Sequence, residues 1–263
     1  MLVLKIGGSM AGKAGNLISE LASMHKEGKK FVLVHGGAPQ VSELERKLGR
    51  EPRYVMSKQG FKSRHVDEQT LKSSVMAFAA VNGSLVSMLK RHGMDAVGIL
   101  GASSVLSAKR KILVAVEEGK EKIIRDNFSG KITAVDAKLL SALLSSGFMP
   151  VIAPVAMGTE HELLNVDGDR AAAAIAGALG AEKLVLFTDV EGFYANFPND
   201  LVQTAKQSAI AGFQASASAG MKRKLVAVDE ALSAGVQEVI ICSGLKENPV
   251  SAALNGGGTH FTK

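Results

Sequence analysis

LVLKIGGS (residues 2–9) is a short apolar-rich run broken by two glycines, and FVLVHGGA (residues 31–38) repeats the arrangement. Each reads as a buried strand that empties into a glycine turn, too short for a helix and bounded by a breaker. Between them Leu17, Ile18, Leu21 and Met24 recur at helical spacing, so the unit is strand–helix–strand. Pro39 opens a second helix carrying Val41, Leu44 and Leu48, with proline in the first turn, where its missing N–H costs little. A third helical segment is predicted from Asp67 to about Arg91, interrupted near Asn82-Gly83.

The alternation continues along the chain. ILVAV and KIIRD flank Glu117-Glu118-Gly119-Lys120 and predict a β-hairpin inside the segment 104–135. Further helices are predicted at 136–146, 169–179 and about 221–234, with strands at Val151-Ile152, 183–187 and Val239-Ile240-Ile241. Strands alternating with helices predict an α/β fold with a mostly parallel central sheet and helices on both faces. No proline-rich linker or repeat divides the chain, so any two lobes would share one continuous sheet. In such sheets ligands sit outside the carboxyl ends of the strands.

Composition narrows the function classes. The 263 residues are 46% hydrophobic and 21% charged, enough for a sizeable core. No run of eighteen apolar residues occurs, which excludes a helical membrane span. The N-terminus lacks a basic lead into an apolar stretch, and the lone Cys242 excludes a disulfide framework. A cytoplasmic location is the default expectation. Net charge is +6, with 23 basic and 13 acidic residues in 1–150 against 8 and 12 in the remainder. Arg46, Lys47, Arg50, Arg53, Lys58, Lys62 and Arg64 face only Glu51 within 46–64, which points to an anionic partner. Nucleic acid is disfavoured, because aromatics make up 5%, tryptophan is absent and no nucleic-acid motif occurs.

Five stretches carry candidate chemistry. Lys5-Ile6-Gly7-Gly8-Ser9 offers backbone N–H groups and an ammonium to an anion. Gly7-x4-Gly12-Lys13 overlaps it with Walker A spacing, but Ala14 stands where that loop needs a hydroxyl. One reading makes Lys5 essential, the other Lys13. His35-Gly36-Gly37-Ala38 adds a second glycine pair, with His35 either a base or a structural histidine. Arg64, shortly before the helix opening at Asp67, could clamp a carboxylate or be a solvated cation. In Asn165-Val166-Asp167-Gly168-Asp169, Asn165 could hold a polar group. Asp169 either caps the next helix or orients cations. Gly220-Met221-Lys222-Arg223-Lys224 places cations at a helix start, against the dipole unless an anion is near.

KIGGS, VHGGA, NVDGDRAA, FTDVEGFY and GMKRK, in that order, resemble the amino acid kinase family over essentially the whole chain, most closely acetylglutamate and acetylaminoadipate kinases. The resemblance implies an open three-layer αβα sandwich, with an amino-acid-substrate and dimerisation lobe (1–178) and a nucleotide lobe (179–263). It implies MgATP-dependent phosphorylation of a side-chain carboxylate, with magnesium held through ATP phosphates and no protein metal site. Lys5 and Lys224 then neutralise the transferring phosphoryl group, Gly8 and Gly37 line its path, and Asp169 organises the lysines. Gly36, Gly37, Arg64 and Asn165 match acceptor positions, with Arg64 on the α-carboxylate. Lys5, Gly7, Gly8, Ser9, Thr188, Asp189, Val190, Gly192, Met221 and Lys224 match nucleotide positions. Ala38 in place of a third glycine departs from the family's substrate loop, and Ala195–Asp200 departs from its nucleotide-lobe pattern, leaving the adenine contacts open.

Gly60-Phe61-Lys62-Ser63-Arg64 resembles the segment of lysine-pathway kinases whose acceptor is blocked by a small acidic amino-group carrier protein. The expected acceptor is therefore carrier-linked α-aminoadipate or glutamate. Free N-acetylglutamate, in arginine synthesis, is the alternative, and a nucleotide-binding regulator without turnover is the second. Because the chain opens directly on its first strand, the resemblance further implies a homodimer insensitive to arginine.

Overall fold

The computed structural model describes residues 1–56, 62–117 and 120–263. The chain runs β1 (Leu2–Ile6), α1 (Gly15–Lys26), β2 (Phe31–His35) and α2 (Ala38–Lys47), then a small hairpin of β3 (Tyr54–Met56) and β4 (Lys62–Arg64). The long α3 (Glu68–Arg91) leads to β5 (Ala96–Leu100), β6 (Leu106–Arg110), the hairpin β7 (Leu113–Glu117) and β8 (Lys120–Ile124), and β9 (Gly130–Val135). After α4 (Lys138–Ser145) come β10 (Met149–Ala153), β11 (Val155–Met157), β12 (Leu163–Asn165) and α5 (Gly168–Ala178). The last third holds β13 (Lys183–Thr188), β14 (Thr204–Lys206), α6 (Ile210–Ser216), α7 (Ala219–Ser233), β15 (Glu238–Ser243), α8 (Pro249–Leu254) and β16 (Thr259–Thr262).

One eight-stranded sheet, ordered β14-β16-β15-β13-β1-β2-β10-β5, spans the molecule. From β15 to β5 every pairing is parallel, and β16 runs antiparallel to β15. The continuous sheet expected from the absence of a linker is present. Because side chains alternate across a strand, β1 sends Leu4 and Ile6 to a core shared with α1, α3 and α8. Its Val3 faces the opposite core, built with α4, α5 and α7. Lys5 shares the parity of Val3, so its side chain leaves the sheet on the α5–α7 side.

One expectation changes, and three short strands are added. The interruption near Asn82-Gly83 is absent, and α3 continues through it for 24 residues. Asn82 Nδ2 donates to Val151 O (2.9 Å), and a Cβ at Gly83 would meet nothing within 4 Å. Tertiary packing thus outweighs the roughly 1 kcal/mol propensity cost of the glycine. The β3–β4 hairpin and β16 have strands of three or four residues, too short for periodicity to reveal. Of the residues singled out in sequence, Lys58, Gly60, Phe61 and the Glu118-Gly119 turn lie outside the described residues.

Candidate active site

The parallel register sets Ile6 beside both His35 and Phe187, so the turns after β1, β2 and β13 emerge side by side. A 3₁₀ turn (Gly8–Lys13) begins after β1, and Gly7 at its N-cap has no side chain to cap it. Its first N–H groups therefore lack intrahelical partners. Glycine is required by close approach here. A Cβ on Gly8 would lie 2.8 Å from Gly37 Cα and Pro39 Cδ, and one on Gly37 would lie 2.6 Å from the Phe78 ring. Gln40 Nε2 donates to Gly8 O (2.8 Å) and pins this turn from α2. The two glycine pairs thus form one contiguous floor.

Across that floor stands the N-terminus of α5. Asp167, not Asp169, caps this helix, accepting from Asp169 N (3.0 Å) and Arg170 N (3.1 Å). The Asp169 carboxylate is left for the cations. Lys5 Nζ lies 2.6 Å from Asp169 Oδ1, and Lys224 Nζ donates to Oδ2 at 3.1 Å. Lys5 and Asp169 are buried and Lys224 is nearly so, with 13% of its side chain exposed. A Cβ on Gly168 would be 3.5 Å from Lys5 Cε and 3.3 Å from His35 O, so α5 approaches the two strand ends closely. Sequence reasoning passed over Gly168, although its place between the two aspartates is a signal.

The electrostatics follow from burial and charge. Burial opposes ionisation of Asp169, but the ammoniums of Lys224 and Lys5 outweigh it and hold the carboxyl well below the usual range. Burial pushes the Lys224 pKa down, with Asp169 opposing. The cations at the start of α7, unfavourable toward its dipole, are thus met in part by the Asp169 carboxylate. Such a triad holds two ammonium groups, each with three donors, beside an uncapped N-terminus. It can neutralise an anion with several oxygens.

His35 lies on the other parity and faces α3. Its Nδ1 meets Gly36 O at 2.9 Å and its Nε2 faces Asn82 Nδ2 at 3.1 Å, so the ring donates at Nδ1 and accepts at Nε2. This is the structural histidine of the two readings. Burial pushes its pKa from 6.5 down to about 4, with the Gly36 bond opposing and Lys5 adding. An unfolded His35 takes up a proton near pH 6.5, which the folded one refuses until about 4. Its contribution to stability is complete above pH 6.5 and lost as pH falls toward 4, by about 3 kcal/mol. Denaturant melts between pH 7 and 4 measure this, and His35→Gln should flatten that part of the profile.

Arg64 lies beside the second glycine pair. Its Nη2 donates to Ala38 O (3.3 Å), Ser42 Oγ (2.5 Å) and the Tyr54 hydroxyl (3.3 Å), and its Nη1 donates to Glu45 Oε2 (2.5 Å). It is 13% exposed, so it is not a solvated cation. Asn165, half-buried at the end of β12, pairs opposite Val155 two residues before the α5 cap. Lys13 ends the 3₁₀ turn and is exposed, away from the triad.

On the β13 side, Thr188 Oγ1 donates to Asp189 Oδ1 (3.1 Å). A cavity of about 490 Å³ lies beyond, lined among others by Val190, Gly192, Tyr194, Phe197, Ser218 and Met221. Tyr194 and Phe197 make an edge-to-face pair at 5.2 Å, and Phe197 is 72% exposed. Sequence reasoning missed this pair because Ala195–Asp200 departs from the familiar pattern. Two aromatics spaced by three were the available signal. Gly192 also serves packing, since a Cβ there would lie 2.6 Å from Thr259 Oγ1. Ser9 is exposed at the mouth of the glycine floor.

A relative from Cenarchaeum symbiosum is 40% identical over 259 residues, covering 97% of this chain and 96% of its own, and is provisionally named LysW-aminoadipate/LysW-glutamate kinase. The LysW-aminoadipate kinase of Thermus thermophilus is 36% identical over 266 residues, covering 98% of this chain and 99% of its own. Among solved structures, N-acetylglutamate synthase from Neisseria gonorrhoeae superposes with a TM-score of 0.83 at 24% identity, spanning all of this chain and 59% of that one. That likeness speaks to the fold alone. The model of the amino acid kinase family matches residues 1–243, and the chain belongs to that family.

Proposed function

We propose that the chain transfers the γ-phosphoryl group of ATP to the side-chain carboxylate of α-aminoadipate or glutamate whose amino group is blocked by a small acidic carrier protein. The observation that carries the chemistry is the buried Lys5–Asp169–Lys224 triad beside the glycine floor. A carboxylate acceptor is already ionised at neutral pH, so no general base is needed. An acceptor oxygen attacks the γ-phosphorus, the bond to the β–γ bridging oxygen breaks, and ADP leaves. What the protein supplies is alignment and neutralisation.

Lys5 and Lys224 meet the phosphoryl oxygens, Asp169 holds both ammoniums in place, and Gly8 and Gly37 keep the path clear of side chains. Gly36, Gly37, Arg64 and Asn165 take the acceptor. Gly7, Gly8, Ser9, Thr188, Asp189, Val190, Gly192 and Met221 take the nucleotide, whose base we assign to the cavity with Tyr194 and Phe197. Mg²⁺, held by the ATP phosphates and water, supplies further charge neutralisation. The acceptor is assigned to the lobe 1–178 and the nucleotide to 179–263. A homodimer in the cytoplasm completes the proposal, and no described helix is long and apolar enough to cross a membrane.

The carrier is favoured by the names of the relatives and by the cations of the acceptor lobe. Those cations need a finer count than composition allows. Arg50 is bound by Asp67 (2.8 Å), Lys47 by Glu43 (2.7 Å) and Arg64 by Glu45. Three carboxylates from outside residues 46–64 thus offset part of that excess. Arg53 is exposed, and Arg46 and Lys47 are exposed in surface pairs with Glu51 (3.7 Å) and Glu43, contacts weak enough in water to be exchanged for those of an acidic protein.

Hydroxamate capture of the acyl phosphate, with carrier-linked α-aminoadipate, carrier-linked glutamate and free N-acetylglutamate side by side, tests the proposal. Product is expected from a carrier-linked form and little from the free one. Equal rates on free N-acetylglutamate would sink the carrier, and no product from any would leave a binding protein. Reversing Arg46, Lys47 and Arg53 to glutamate should raise the KM for the carrier-linked acceptor about tenfold at low salt. The effect should shrink as salt is added, with the KM for ATP unmoved.

A further inference from the structure

We propose that Glu45 is a positioning residue for acceptor binding, holding Arg64 in the orientation in which its guanidinium receives the acceptor's α-carboxylate. The proposal rests on the assignment of Arg64 to that carboxylate and names the group that sets the arginine.

Glu45 lies one helical turn after Val41, on a face of α2 that packs inward, and only 1% of the residue is exposed. A carboxylate is costly at such a position unless it is paired and its remaining oxygen is bonded. Both conditions are met. Oε2 accepts from Arg64 Nη1 at 2.5 Å and Oε1 accepts from Thr70 Oγ1 at 2.6 Å. One side chain therefore ties α2 to β4 and to the first turn of α3. The other contacts of Arg64, with Ala38 O, Ser42 Oγ and Tyr54 OH, fix the same plane from β3 and the start of α2. Ala38 directly follows the second glycine pair, so the arginine is set beside the floor of the site.

The charges oppose this benefit, and that makes the proposal decidable. An ionised Glu45 neutralises Arg64 and repels a second carboxylate. If electrostatics governed acceptor affinity, removing the charge would tighten binding. If Glu45 works by aiming Arg64, the same change weakens it. A strut with no role in recognition would alter the melting temperature and leave the acceptor constant alone.

The test is steady-state hydroxamate capture with carrier-linked α-aminoadipate, measuring kcat and both KM values for Glu45→Gln, Glu45→Asp, Arg64→Ala and the Arg64→Ala/Glu45→Gln pair. Glu45→Gln is isosteric and should raise the acceptor KM about tenfold while the ATP KM stays within about twofold. Glu45→Asp keeps the charge with a shorter reach and should show a smaller rise. The double variant should be no worse than Arg64→Ala alone. An acceptor KM unchanged or lowered in Glu45→Gln, or additive losses in the pair, would overturn the proposal. If Arg64→Ala itself leaves the acceptor KM unchanged, the assignment of Arg64 fails and the proposal with it. If Arg64→Ala raises that KM and Glu45→Gln does not, only the proposal fails. Should Glu45→Gln not fold, Glu45→Asp decides, an unchanged acceptor KM counting against positioning.

Discussion

Lys5→Ala should lower turnover by about 10³-fold, some 4 kcal/mol of barrier, while Lys13→Ala leaves it within about twofold. The contrast follows from strand parity. Lys5 is carried under the α5–α7 layer to a 2.6 Å contact with Asp169, whereas Lys13 is exposed at the end of the 3₁₀ turn. The Walker A spacing around Lys13 predicts the reverse order of effects. Hydroxamate capture of the acyl phosphate with each variant, alongside its melting temperature, separates the two. A dead Lys13→Ala beside an active Lys5→Ala would replace the triad by a P-loop.

Asp169→Asn has the second large effect, and it strikes stability as well as chemistry. The isosteric change leaves two buried ammonium groups facing each other with no anion between them. Removing one member of a buried charge network costs about 3–5 kcal/mol, and turnover should fall by about 10²-fold. The pH dependence marks the same residue. Asp169 ionises below its unfolded value of 3.8, so its contribution is intact above that pH and is lost as pH falls further. The wild type should weaken through that window and the variant should not. The combination Lys5→Met/Asp169→Leu/Lys224→Met provides the control. Apolar replacement of a whole buried network is often neutral or stabilising, so this protein should melt near the wild type while turning nothing over. Melting far below wild type would mean that the charges hold the fold together.

Much of this site is legible in the sequence. The glycine pairs after two apolar runs, the NVDGDR stretch and the basic start of α7 are local features, and the parallel topology brings strand ends together wherever they lie in the chain. Other parts were illegible for definite reasons. Asp167 and Asp169 stand two apart at a helix start, and only the backbone entry angle decides which one caps. Glu45 stands among Glu43, Arg46 and Lys47, and although its spacing from Val41 turns it inward, nothing local says that Arg64 and Thr70 meet its carboxylate there. The excess positive charge of 46–64 was countable, but its partial neutralisation by Glu43, Glu45 and Asp67 depends on contacts no count contains. The unbroken α3 shows the same limit, since Asn82 is held by Val151 and His35, far away in sequence.

The alternation along β1 also determines which genetic changes this stretch of the protein can survive. Conservative exchanges at Val3 or Leu4 swap one apolar side chain for another of similar size and should cost about 1 kcal/mol. Deleting the single codon for Ile6, between Lys5 and the glycine turn, is a different kind of event. With the glycine turn fixed, it puts the strand one place out of step and sends residues to the wrong layer. An ammonium would be driven into the apolar seam of α1 and α3, and an aliphatic chain would be set against Asp169. Single-residue deletions or insertions between Lys5 and Gly7 should therefore leave almost no active protein, where exchanges at Val3 and Leu4 are well tolerated.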